Sequence, residues 1–150
     1  MRRPSPMDRF LKALMGLSLA LGVGVPALSF ANGTLKPHEG CAVTLVVDGD
    51  TVKLLCPGEG FVTARLLGFD TPEVFSPGCL SELARGIAAT AWLNGALFAA
   101  GHIAENGARS DRYGRRLASL KLDGRDVAET IIAAGLARPY EGGKREGWCA

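Results

Sequence analysis

Two short runs decide the fold: Val47-Asp48-Gly49-Asp50-Thr51, and Arg65-Leu66-Leu67-Gly68-Phe69-Asp70-Thr71-Pro72-Glu73. Asp48-Gly49 between apolar runs signals a hairpin turn. Val43 to Val47, Val52 to Leu55 and Phe61 to Phe69 then read as three strands. The second and third are joined by Cys56-Pro57-Gly58-Glu59-Gly60, a short turn-rich link that makes them antiparallel neighbours. The start of the second strand therefore lies beside the end of the third, and Asp50 meets Asp70 at one rim, with Glu73 just beyond. Such a cluster of carboxylates, completed by a carbonyl and water, suits a hard cation such as calcium. Arg65 lies on the same strand as Asp70 but, by the alternation of side chains, on its opposite face. If both serve one site the strand has to bend or end between them, and Gly68 is the place for it.

A later run, Asp111-Arg112-Tyr113-Gly114-Arg115, adds two arginines on a turn. Each motif alone has a plain structural meaning: Asp48-Gly49 and Asp111-Arg112-Tyr113-Gly114 as turns, Thr71-Pro72-Glu73 as a helix start. Together, in this order, they resemble the staphylococcal nuclease (thermonuclease) family, over roughly Ala42 to Tyr140. The resemblance implies an α+β fold, a five-stranded OB-fold β-barrel with two helices. It implies a nuclease that uses Ca2+ to hydrolyse phosphodiester bonds of DNA or RNA with low sequence specificity, acting on single-stranded nucleic acid. Asp50, Asp70 and the Thr71 carbonyl would hold the metal, and Glu73 would hold or deprotonate the attacking water. Arg65 and Arg115 would clamp the phosphate, and Arg112 and Tyr113 would touch the substrate.

The chain departs from the family at its end. Only Glu141 to Ala150 follow Tyr140, so the family's third, C-terminal helix is missing or replaced; Trp148 and a Cys79–Cys149 bridge would close the barrel bottom instead. A lysine-rich loop after Thr-Pro-Glu is also absent, since Val74-Phe75-Ser76-Pro77 carries no positive charge. Two other classes stand beside the enzyme: a non-catalytic OB-fold module gripping nucleic acid or another polyanion, and a disulfide-stapled interaction domain. Glu73 and both arginines favour the enzyme, since a binding module has no use for a base.

Between the motifs, Ser81 to Ala100 reads as a helix with Leu83, Ile87, Ala91 and Phe98 as its buried stripe and Trp92 in the core. His102 to Ala108 is a weak strand. Arg116 to Leu122 alternates with Ala118, Leu120 and Leu122 on one face. Asp126 caps a second helix, with Glu129 completing a capping box, Val127, Thr130, Ile131 and Ala134 facing inward and Gly135 ending it.

The first thirty-one residues read as a signal peptide cleaved after Ala31: Arg2, Arg3, Arg9 and Lys12 precede an almost uncharged run from Ala13 to Ser29. Residues 32–40 read as a flexible leader and 41–150 as one nuclease-like domain. Four of the seventeen basic and one of the fifteen acidic residues fall in the signal, leaving thirteen and fourteen and a net charge of −1. Bulk charge therefore lends nucleic-acid binding no support, although Arg109, Arg112, Arg115, Arg116, Lys121 and Arg125 cluster. The four cysteines, an even number in an exported chain, point to disulfides. Hairpin symmetry about Asp48-Gly49 places Cys41 opposite Cys56 and leaves Cys79 for Cys149. Loop entropy gives such bridges roughly 3 and 4 kcal/mol respectively. The expected product is a periplasmic or secreted monomer without stable membrane association.

Overall fold

The computed structural model describes residues 6–19 and 23–149. At its centre is an antiparallel meander of β2 (Ala42–Asp48), β3 (Thr51–Cys56) and β4 (Gly60–Leu66), preceded by a two-residue β1 (His38–Glu39). Asp48 pairs with Thr51, so Gly49 and Asp50 are the centre of the β2–β3 turn, one residue later than Asp48-Gly49 predicts. Two register shifts on β2, between Val43 and Leu45 and between Val46 and Asp48, offset that slip. Cys41 thereby still meets Cys56, and the bridge closes with a Cα–Cα distance of 4.3 Å. Such bulges also tighten the local twist.

The strand expected over Phe61 to Phe69 is broken. β4 ends at Leu66, Gly68 takes a φ of +91°, and β5 (Gly68–Asp70) leaves for a separate sheet. There it pairs with β9 (Arg138–Tyr140), with Asp70 opposite Arg138. The main sheet continues through β6 (Ile103–Ser110) and β7 (Arg116–Leu122) in the order β1-β6-β7-β4-β3-β2, with the short β8 (Arg125–Asp126) on β7. β7 runs parallel to β4, and the sheet curls into a half-barrel, the mixed α+β arrangement of an OB-fold. Phe69, Leu54, Leu66, Leu93, Ile103, Leu120 and Ile131 fill its interior.

Two helices cover the barrel. α3 (Leu80–Ala99) buries Glu82, Gly86, Ala89, Leu93 and Leu97. The predicted stripe is thus rotated: Ile87 and Phe98 are exposed, Leu83 is half-buried and Trp92 packs only at the core's edge. The smallest residues of the helix decide this. A Cβ on Gly86 would come within 2.8 Å of the Pro72 carbonyl oxygen, so only glycine lets α3 lie against the loop after Asp70. α4 (Val127–Ala133) starts at Asp126, whose carboxylate accepts from the Ala128 N–H at 2.8 Å, and it buries Val127 and Ile131. Gly135, at a φ of +72°, follows its end.

Of two further helices, α1 (Pro6–Leu19) lies within the stretch read as a signal, and α2 (Val25–Leu35) straddles the cleavage point expected after Ala31. Arg2 and Arg3 fall outside the described residues. Residues 32–40 are not the loose leader their polarity suggests. Gly33 presses on β2 so closely that a Cβ would meet the Val43 carbonyl oxygen at 1.6 Å. The Lys36 ammonium donates to the carbonyls of Leu97 and Ala100 at 2.9 and 2.6 Å, supplying cationic partners to the unpaired C-terminal end of α3. β1 then pairs with β6. No helix among the described residues is long and apolar enough to cross a membrane.

The close approach of α3 makes a sharp prediction. Gly86→Val, which overfills the contact with Pro72 and Val74, should lower unfolding free energy by about 1–3 kcal/mol in urea titrations, while Ile87→Val on the exposed face should leave it nearly unchanged.

Candidate active site

Arg65 is the hub of the rim. Its guanidinium is buried and grips Asp50 with both ends, Nη1 to Oδ1 at 2.9 Å and Nη2 to Oδ2 at 2.7 Å. The same Nη2 lies 3.4 Å from Oδ1 of Asp70. Residues on opposite faces of a straight strand meet here because the chain turns at Gly68. Asp50 is 3% exposed and Asp70 1%. Asp50 is held further by the Thr51 hydroxyl at 3.1 Å and the Thr71 N–H at 3.4 Å. Its own carbonyl accepts from the Leu66 N–H at 2.8 Å, which locks the turn to the end of β4. Gly49 permits the nesting: a Cβ there would stand 2.8 Å from the Thr71 side chain. Burial pushes the Asp50 carboxyl above its ordinary pKa; Arg65 opposes this, Asp48 adds to it and Arg145 again opposes it.

Asp70 gathers three side chains besides Arg65. Arg138 Nη2 and Trp148 Nε1 donate to Oδ2 at 3.0 and 3.1 Å, and Arg145 Nε lies 3.0 Å from Oδ1. Glu73 sits at the edge, partly exposed, with Oε2 3.9 Å from Arg145 Nη1. Its backbone N–H points to the buried Glu82 at 3.4 Å, and Glu82 also accepts from the Gly78 N–H at 2.7 Å, so this one carboxylate shapes the loop from Glu73 to Gly78.

The turn between β6 and β7 lines the same groove as Asp50, Arg65, Thr71 and Glu73. Arg115 does not reach the carboxylate cluster. It is committed to Asp111, Nη2 at 2.7 Å and Nε at 2.8 Å from Oδ2. A desolvation cost to Asp111 is outweighed by the Arg115 N–H, the Arg115 side chain and the Tyr113 N–H, which hold its carboxyl below the ordinary range. Tyr113 is exposed, with the guanidinium carbons of Arg112 and Arg115 at 4.8 and 5.6 Å from its ring centre. The structure thus gathers Asp50, Arg65, Asp70 and Thr71, sets Glu73 at their edge, and leaves Arg112, Tyr113 and Arg115 on the groove lining.

Three side chains of the site have no motif of their own. Arg138 is delivered by the pairing of β9 with β5 and stacks on Trp148 at 4.3 Å. Arg145 and Trp148 belong to the irregular segment 141–149, which the Cys79–Cys149 bridge (Cα–Cα 6.0 Å) fastens to the start of α3. The sequence signal for them is Trp148-Cys149 in the run after Tyr140. Among the described residues no helix follows α4.

Two buried carboxylates that share Arg65 offer hard oxygen atoms of the kind that fits a divalent cation such as calcium, while the Thr71 group directed at Asp50 is its N–H. In this structure guanidinium groups supply their positive charge. A trio of Cys79, Glu82 and Cys149 also lies close together, but its sulfurs are bonded to each other and offer no thiolate.

Removing Arg65 would leave two buried carboxylates without their shared partner. Arg65→Met should destabilise the protein by about 3–5 kcal/mol, measured by denaturant unfolding at neutral pH. Arg115→Met, which loses a partly exposed pair, should cost far less in the same measurement.

The sequence profile described as staphylococcal nuclease homologue matches residues 63–147. Among curated proteins, Endonuclease YncB of Bacillus subtilis (strain 168) is 36% identical over 96 residues, 61% of this chain and 44% of that protein. The SPbeta prophage-derived endonuclease YokF of the same organism is 38% identical over 96 residues, 61% of this chain and 31% of that protein. The matched part therefore amounts to less than half of either relative.

Proposed function

Because the chain belongs to the staphylococcal nuclease homologue family, we propose that it is a metal-dependent nuclease that hydrolyses phosphodiester bonds of DNA or RNA with low sequence specificity. The observation that carries this reading is the meeting of two buried carboxylates on Arg65, with Glu73 at the open edge. Asp50, Asp70 and the Thr71 carbonyl hold the cation, for which calcium is the choice that hard oxygen donors favour. When bound, a divalent cation stabilises charge on the phosphoryl oxygens and sharpens a water as nucleophile.

The remaining work falls to the chain. Glu73, partly exposed and free of a close hydrogen-bonding cation, positions the attacking water and takes its proton. Arg65 supplies the buried positive charge that the two aspartates share, and a phosphate oxygen brought to the rim would meet the same guanidinium. Arg115 exchanges Asp111 for the phosphate, so Asp111 stores the guanidinium in the groove until substrate arrives. Tyr113, exposed and flanked by Arg112, stacks on a base. Contacts of this kind read phosphate and ring faces, which carry little sequence information, and they favour single strands.

Two disulfides in a small domain fit an oxidising compartment, and with the N-terminal leader they point to a periplasmic or secreted protein. Cleavage after Ala31 would fall inside α2 and leave Asn32, Gly33 and Lys36 with the domain they pack on. The alternative is a binding module that grips a polyanion without cutting it. One observation favours it: Arg138 and Arg145 already neutralise the carboxylates.

The test is digestion of single-stranded DNA by oxidised protein in calcium and in chelator. Cleavage should require calcium, and Glu73→Gln should slow it by about two to four decades without loss of stability. A folded, disulfide-intact wild type that binds the strand and leaves it whole in calcium would favour the binding module.

A further inference from the structure

We propose that Arg145 is a resident counter-cation: it occupies the divalent cation's place among Asp50, Asp70 and Glu73, is displaced when that cation binds, and is then handed to the substrate's phosphate. The inference deepens the nuclease reading and rests on it. Arg145 lies 3.0 Å from Asp70, 3.9 Å from Glu73 and 4.0 Å from Asp50, so one guanidinium faces all three carboxylates of the proposed metal and water site.

The three arginines on the aspartates are not equivalent. Arg65 is buried and bidentate on Asp50. Arg138 sits on β9, stacks on Trp148 and donates to the carbonyls of Glu146 and Gly147 besides Asp70. The side chain of Arg145 is 37% exposed, on a segment without regular structure, and only its contact with Asp70 is of hydrogen-bond length. A divalent cation placed between Asp50 and Asp70 repels every guanidinium near it, and Arg145 is the one that can leave.

It cannot go far. Cys149, four residues on, is bonded to Cys79 at the start of α3, and Gly142 and Gly143, both at positive φ, give the segment its bend. The displaced guanidinium stays at the groove that Tyr140 also lines, and the nearest new anion there is a substrate phosphate. Tethering of this kind holds a group at high effective concentration. It also supplies the cation that Val74-Phe75-Ser76-Pro77, on the neighbouring loop, does not.

Calorimetric titration of calcium into the oxidised protein without nucleotide tests the exchange. Arg145→Gln should bind calcium tighter than wild type by about fivefold or more, the lower end of ordinary coupling between sites. Arg145→Lys should lie nearer to wild type. In a Glu73→Gln background, which leaves the strand uncut, Arg145→Gln should weaken oligothymidylate binding in calcium and have less effect in chelator. Equal or weaker calcium binding by a folded Arg145→Gln protein with its bridges intact would overturn the proposal. So would oligothymidylate affinity unchanged by that substitution. Absence of any calcium binding by wild type would instead remove the metal-dependent reading itself, and the exchange with it.

Discussion

Arg65 between Asp50 and Asp70 is the constraint on which the rest depends. Two carboxylates carried into the barrel rim face a desolvation cost that neither can meet alone. Burial already pushes Asp50 toward its neutral form, and Arg65 is the main force against it. A buried pair of this kind is weak evidence of stability for its own sake. Hydrophobic residues would fill the rim more cheaply, so the carboxylates make physical sense as ligands whose charge is wanted.

Bringing three charged groups together requires unusually close backbone packing. Gly49 lets the β2–β3 turn sit on Thr71, the break at Gly68 turns Asp70 toward Arg65, and Gly86 brings α3 down on Pro72. The two bridges act at the edges of this arrangement: Cys41–Cys56 fixes the open end of the hairpin, and Cys79–Cys149 fixes the C-terminal segment over Asp70. Among the described residues no helix follows α4, and this bridged strap is what covers Asp70.

Much of this was legible from sequence because it follows from local rules. The meeting of Asp50 and Asp70 came from two antiparallel strands, the break from one glycine, and the start of α4 from Asp126. What was illegible depended on distant parts of the chain. The β2–β3 turn is displaced by one residue because bulges on β2 absorb the difference, and no residue type announces them. Apolar spacing in α3 allowed a stripe through Leu83 and Ile87, and only contact with Pro72 selects the face of Gly86 and Ala89. Asn32 to Lys36 is polar enough to read as a loop, yet Lys36 finds its partners about sixty residues away, at 61 to Leu97 and 64 to Ala100. Arg138 meets Asp70 across 68 residues through a three-residue strand pair that carries no periodicity.

The central claim is that the Asp50–Asp70 pair is a cation site maintained by guanidinium groups. The most direct measurement is a crystal structure of the oxidised protein grown in calcium, with anomalous scattering used to locate the ion. The account predicts an ion between Asp50 and Asp70, with Arg65 still on Asp50 and Arg145 turned toward the groove. A well-ordered site at saturating calcium with no ion there, and Arg145 still against Asp70, would contradict it.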